Sequence, residues 1–294
     1  MPNRRFWKIR VDKPARHGDA LKMTIVREPM WDEAPKSRLA LSWRHLVHML
    51  ASEGWAMRIL LESVAAFPAV LVRRDSRHDF MNQLYMTGIR TLPVVTVVSL
   101  FTGMILALQV GLELRRFNQE IYLGAAVMIS LIREMGPFSC GMCLAACVGS
   151  AIAAELGTMK VNDEIAALEI MSIPPIRYLA APRILALMAM APLLGFYCCV
   201  VGTIGGGVVG VTQLGVDFPQ YISSAMSMAE PKDLYVGLLK AFVFGTLIGS
   251  VSCAEGFGTD TGATGVGKST QRSVIVSFLL ILMFGYMITR VCYR

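Results

Sequence analysis

The chain predicts an all-α membrane protein with about five transmembrane helices, and three observations carry that prediction. Apolar runs long enough to cross a bilayer recur after residue 90. Charged residues make up only 17% of the 294-residue chain, against about 25% in a soluble domain, and mean hydropathy is +0.54. The positive charge sits ahead of the first run, where 15 Lys and Arg face 9 Asp and Glu before residue 88, so that +6 of the net +7 lies there. Basic residues flanking a first span are retained in the cytoplasm, which places the N-terminus inside. The same residues are scattered and belong to no nucleic-acid-binding fold, so no nucleic-acid partner is expected.

Residues 1–40 carry prolines and no apolar core of signal-peptide length, and read as a poorly ordered basic extension. Residues 41–90 read as interfacial amphipathic helices. In the first, Leu46, Leu50, Met57, Leu60, Leu61 and Val64 recur at helical spacing, with Arg44, Glu53, Arg58 and Glu62 between them and Trp43 and Trp55 as interfacial anchors. A second piece, Phe80 to Ile89, leads into the first span.

The spans are expected at roughly 91–110, 137–153, 184–210, 236–254 and 273–292, within a permease domain covering 91–294. Residues 121–132 are apolar but reach only about 18 Å as a helix, too little for a core about 30 Å thick. They read as a partly inserted helix that breaks at Gly136-Pro137 and continues as the second span. Five spans put the C-terminus outside and the loops at 154–183 and 255–272 in the cytoplasm. Those loops carry Lys160, Arg177, Arg183, Lys268 and Arg272, in keeping with that orientation. Gly202, Gly206 and Gly210, like Gly245 and Gly249, recur at four-residue intervals and allow close helix approach, within the chain or across a dimer seam.

Candidate chemistry is concentrated in a polar interruption from Arg133 to Arg183. Arg133 and Glu134 stand inside an apolar stretch, where ionisable residues are costly unless paired or facing a cavity, so contact with cargo is the leading reading and an interfacial pair the other. Lys240 lies one turn into the fourth span, close enough to its end to snorkel. Asn162 is placed to cap a helix of about nine residues, with Asp163 and Glu164 in its first turn, Leu168 and Met171 on one side and Pro174-Pro175 at its end. So short a helix needs a surface, either its own spans or a soluble motor.

Gly262-Ala263-Thr264-Gly265-Val266-Gly267-Lys268-Ser269 fits the phosphate-loop pattern at every position. The mechanism of that loop requires a preceding strand and a soluble αβ domain, whereas here a span precedes it and another follows. A Gly-rich turn whose Ser and Thr cap the last helix is the reading adopted. Cys140, Cys143 and Cys147 share one helical face with no His or fourth Cys near in sequence, and read as packing residues, with no metal expected. All four histidines, His17, His45, His48 and His78, precede the first span, which excludes a haem-binding subunit with ligands in the bundle. No Ser-His-Asp set or catalytic carboxylate pair stands out, so no catalytic residue and no cofactor is expected.

From about residue 43 onward the chain resembles the MlaE/YrbE permeases, membrane subunits of bacterial lipid-moving ABC transporters. The resemblance rests on Gly103-Met104-Ile105-Leu106-Ala107-Leu108-Gln109, Arg133-Glu134-Met135-Gly136-Pro137 and Ala153-Ala154-Glu155-Leu156-Gly157-Thr158-Met159. It continues through Glu164 to Met171, Pro175 to Leu179, Pro182-Arg183 and the Gly265-Val266-Gly267 turn. Met135 stands where the family usually has Leu, and Ala166 where Asp is common. The resemblance implies an inner-membrane, multi-pass permease of phospholipid or related lipid, without a catalytic site of its own. Cytoplasmic ABC ATPase subunits would drive it, alongside a periplasmic MCE-domain protein, a STAS-domain protein and a second permease copy. It further implies that Arg133, Glu134 and Lys240 approach a lipid cavity, and that 155–171, with Glu155, Gly157, Met159, Glu164, Leu168, Glu169 and Met171, forms the ATPase-coupling helix. The rival readings are an ATP-independent secondary transporter and a P-loop nucleotide-binding protein.

Overall fold

The computed structural model describes residues 7–10, 26–29, 56–63, 65, 74–260 and 262–293. The chain divides into two units, Met1–Leu50 and Ala51–Arg294. In the first, β1 (Trp7–Arg10) pairs antiparallel with β2 (Val26–Pro29), with Lys8 opposite Glu28. This ladder falls within the stretch read as a poorly ordered extension, most of which lies outside the described residues.

The second unit is helical. Of the first amphipathic helix only 56–63 and 65 are described. Ala56 and Ile59 are buried there, Met57 and Leu61 are exposed, and Arg58 pairs with Glu62 one turn on at 3.1 Å. Next, α1 (Arg74–Gly88) lies against the third span, with Phe80 on Ala181 and Leu185.

Five helices among the described residues are long and apolar enough to cross a membrane: His78–Arg116, which includes α2 (Leu92–Arg116), α3 (Glu120–Val161), α5 (Ile176–Leu214), α7 (Pro231–Phe257) and α8 (Ala263–Cys292). Between them lie α4 (Glu164–Ile170) and α6 (Phe218–Met228).

Close packing depends on small residues. A Cβ on Gly103 of α2 would collide with the carbonyl oxygen of Gly202 on α5, so only hydrogen fits at this crossing. Gly245 of α7 meets the Leu187 carbonyl in the same way, at 2.6 Å. Both glycine strips are therefore used inside the chain. Leu144, Ile184, Ile248 and Ile281 centre one buried cluster, and Leu123, Leu131, Val209 and Tyr221 a second.

Three local expectations are corrected. The helix does not break at Gly136-Pro137: α3 runs on through a π-turn at Leu131–Met135 and another at Ala145–Gly149. A π-turn absorbs one extra residue, which lets proline follow without ending the helix. Asn162 does not cap α4, because it closes α3, and Asp163 takes the N-cap position in the left-handed region (φ 59°) without a side-chain bond. The stretch 155–171 is accordingly two elements, with Glu155, Gly157 and Met159 on the end of α3 and only Glu164, Leu168 and Glu169 on the seven-residue α4. Finally, Ala263 to Ser269 form the first turns of α8, not a turn, and Gly262 is the N-cap (φ 88°) with no Ser or Thr capping it. A P-loop wraps its phosphate with non-helical backbone between a strand and a helix, whereas residues 263–269 are already helical and a long apolar helix precedes them, so the segment lacks that geometry.

Candidate functional site: a charged seam at one end of the bundle

Chain direction brings the N-terminal half of α3, the start of α7 and the end of α8 to the same end of the bundle. There the three charged residues singled out in the sequence meet, together with three partners that were not. Pro137 has no N–H to give the carbonyl oxygen four residues back, that of Arg133. The Lys240 ammonium takes that oxygen at 2.6 Å. Its other protons go to Glu134 Oε1 at 2.7 Å and Thr289 Oγ1 at 2.7 Å, and the Thr289 hydroxyl donates to the same Glu134 oxygen at 2.6 Å. The three ammonium protons thus each meet an acceptor.

Lys240 is 1% exposed, so it does not snorkel. Snorkelling is the expectation for a lysine near a helix end, and a local acceptor set outcompetes it here. Arg133 and Glu134 are adjacent, so they point about 100° apart on a helix, and each finds its own partner. Arg133 forms a two-pronged bond to Asp233, Nε to Oδ1 at 2.8 Å and Nη2 to Oδ2 at 3.0 Å. Tyr293 donates its phenol proton to Asp233 Oδ1 at 2.7 Å, and its ring lies 4.6 Å below the Arg133 guanidinium. Burial, reinforced by that bond to a carboxylate, raises the Tyr293 phenol above the ordinary tyrosine range. Asp233 is as buried as Lys240, whereas the Arg133 and Glu134 side chains keep 39% and 43% of their surface exposed.

Asp233, Thr289 and Tyr293 were missed in the sequence. Asp233 stands seven residues before Lys240 on one helix face, and that spacing was the available signal. Thr289 and Tyr293 share a face of the last helix at four-residue spacing, which alone does not mark an ordinary Thr and Tyr.

Beside the seam, a largely apolar cavity of about 450 Å³ opens between α3, α5, α6 and α7. Met128, Ile132, Phe196, Val200, Ile222 and Leu234 line it, and Ile132 and Leu234 are the chain neighbours of Arg133 and Asp233. The charged pair therefore stands at its margin.

At the opposite end, Arg183 of α5 donates to Glu155 of α3 at 3.2 Å and to the Leu179 carbonyl at 2.7 Å. Lys160 reaches the Phe257 carbonyl at 2.6 Å, and Gly157 leaves room for Thr259, whose hydroxyl bonds Ser269 at 2.9 Å. Leu168 is half-buried against the bundle core, while Met171 just beyond α4 is 61% exposed and Ile170 84%. Leu168 and Met171, expected on one side of the short helix, thus differ in surroundings, the first resting on the bundle and the second exposed just past the helix end. Glu164 and Glu169 are exposed.

Residues 80–291 match the family described as Permease MlaE. A probable ABC transporter permease protein of Rickettsia prowazekii is 38% identical over 214 residues, 73% of this chain and 83% of the relative. The intermembrane phospholipid transport system permease protein MlaE of Haemophilus influenzae is 30% identical over 231 residues, 77% of this chain and 88% of that one. The chloroplast protein TRIGALACTOSYLDIACYLGLYCEROL 1 of Arabidopsis thaliana is 32% identical over 209 residues, 71% and 60%.

Proposed function

The chain belongs to the MlaE permease family, and from that membership we propose that it is the membrane subunit of an ABC transporter moving phospholipid between the inner and outer membranes. The observation that carries the reading is the charged seam at the margin of the 450 Å³ apolar cavity. Acyl chains fit the cavity, and the half-exposed flanks of Arg133 and Glu134 give a headgroup a polar boundary. With every proton of Lys240 and both prongs of Arg133 engaged inside the protein, the seam acts as a wall of the lipid path before it acts as a ligand set.

In this reading the N-terminus is cytoplasmic, the seam lies toward the periplasm, and α4 faces the cytoplasm. A periplasmic MCE-domain protein receives or delivers lipid above the seam. ABC ATPase subunits dock against Ile170 and Met171 and act on the ends of α3 and α5, tied by Glu155 and Arg183. A second permease copy and a STAS-domain protein complete the assembly. The test is co-reconstitution with the ATPase subunits and measurement of ATP-dependent phospholipid transfer. Transfer that is indifferent to ATP would instead support a secondary transporter.

A further inference from the structure

The last helix carries a second polar feature that the seam leaves unused. Tyr286, Thr289, Arg290 and Tyr293 line an open pocket of about 420 Å³ at the end of α8. Two of its four residues are committed inward, Thr289 to Glu134 and Tyr293 to Asp233. Arg290 is different: it is exposed, and among the described residues it makes no hydrogen bond or ion pair. Neighbouring Tyr286, Met287 and Val291 are also exposed, so this face of α8 looks outward from the bundle.

Depth decides what meets such a pocket. The 30 residues of α8 extend about 45 Å at 1.5 Å per residue, against a hydrocarbon core of about 30 Å. The last turn, with Arg290, therefore emerges at the level of lipid phosphates. Charge agrees: Lys232 lies 5.6 Å from the Tyr293 ring and Arg133 4.6 Å from it, while the two acids bonded to the pocket's own residues, Asp233 and Glu134, are already paired with Arg133 and Lys240. A guanidinium fork with all its donors free matches two phosphate oxygens, which a lysine ammonium cannot do.

We propose that this pocket is a phosphate-accepting site for a phospholipid headgroup, with Arg290 as its cation and the Tyr286 hydroxyl as a second donor. The proposal deepens the lipid-permease reading and rests on it. The cargo-facing cation is then Arg290 on the last helix, and Arg133 and Lys240 hold the wall behind it.

The experiment uses the full chain in nanodiscs of mixed zwitterionic and anionic phospholipid, extracted mildly, with retained phospholipid per protein counted by mass spectrometry. Arg290→Gln should lower retention about tenfold, the worth of a charge-assisted bond, and Arg290→Lys should restore part of it. Arg116→Gln, removing an exposed cation at the end of α2, should change nothing. An unchanged elution volume shows that each variant is folded, which is expected because Arg290 makes no hydrogen bond or ion pair among the described residues. Equal loss in Arg116→Gln would overturn the site in favour of general surface lipid, as would full retention in Arg290→Gln. Inorganic phosphate that binds the wild-type chain but not Arg290→Gln, while both retain lipid equally, would overturn the headgroup assignment in favour of a free anion. Retention requires no ATP, so a wild-type chain that holds lipid here yet moves none with its ATPase would overturn the permease reading alone.

Discussion

The Lys240 ammonium donates to the carbonyl oxygen of Arg133, 107 residues away in the chain, across 2.6 Å. That oxygen is available because Pro137, the residue that would have bonded it, has no N–H. The proline therefore creates a vacancy in one helix that a cation on another helix fills. Charge placement in this bundle is tied to backbone geometry as well as to side-chain pairing.

Lys240→Met should destabilise the protein by about 2–3 kcal/mol, because it strands a buried carbonyl and weakens the support of Glu134. Pro137→Ala supplies an N–H to the same oxygen and should recover part of the loss in the double variant. A double-mutant cycle on the detergent-solubilised unfolding midpoint measures the coupling. Strictly additive effects would show that the two residues do not share that oxygen.

Arg133→Ala leaves Asp233 buried without its counter-ion, whereas Asp233→Asn removes the charge but keeps a polar partner. The first should cost about 3 kcal/mol or more, the second less, and combining the two should be milder than Arg133→Ala alone. Thermal unfolding of the purified variants ranks them. If Arg133→Ala is the mildest of the three, the pair is not the stabilising unit described.

Leu168→Asp and Met171→Asp separate packing from docking. Leu168 rests on the protein's own core, so its replacement should lower stability and expression. Met171 is exposed, so its replacement should leave the bundle intact and reduce ATPase capture in a pull-down. ATPase recovered at wild-type yield with Met171→Asp and Ile170→Asp together would remove this surface as the docking element.

Gly103→Val should abolish the close crossing of α2 and α5, since even a Cβ would sit inside the Gly202 carbonyl. Accumulation of folded protein in the membrane should fall severalfold. An engineered cysteine pair at this crossing should still cross-link readily in the wild-type background and poorly in the valine variant.

Tyr293 gives the seam an alkaline edge. Its raised pKa means that the fold favours the neutral phenol, so its contribution is complete below about pH 10, the unfolded value, and is lost as pH rises through the higher folded value. Tyr293→Phe should lower stability at neutral pH by removing the donor to Asp233, and should flatten the fall above pH 10. Stability profiles of the two proteins that stay parallel through that range would place the alkaline loss elsewhere.

Much was legible in the sequence because the bilayer constrains composition directly. Hydropathy alone yields five spans, and unbroken helices are what a segment must form when lipid offers its backbone no partners. Arg133 and Glu134 announce themselves because charge is rare at that depth. The family motifs likewise depend on residue order. Partnership was not legible. Whether Lys240 snorkels or turns inward depends on an oxygen 107 residues earlier and a hydroxyl 49 residues later, and no local pattern encodes a distance between helices. The same holds for α4, where Leu168 turns inward and Met171 outward only because the bundle surface lies on one side. Continuity at Gly136-Pro137 was likewise decided in three dimensions, where a π-turn and a neighbouring lysine together satisfy what proline leaves open. Sequence order determined which segments enter the membrane, and packing determined which of their polar groups remain free to meet anything outside the chain.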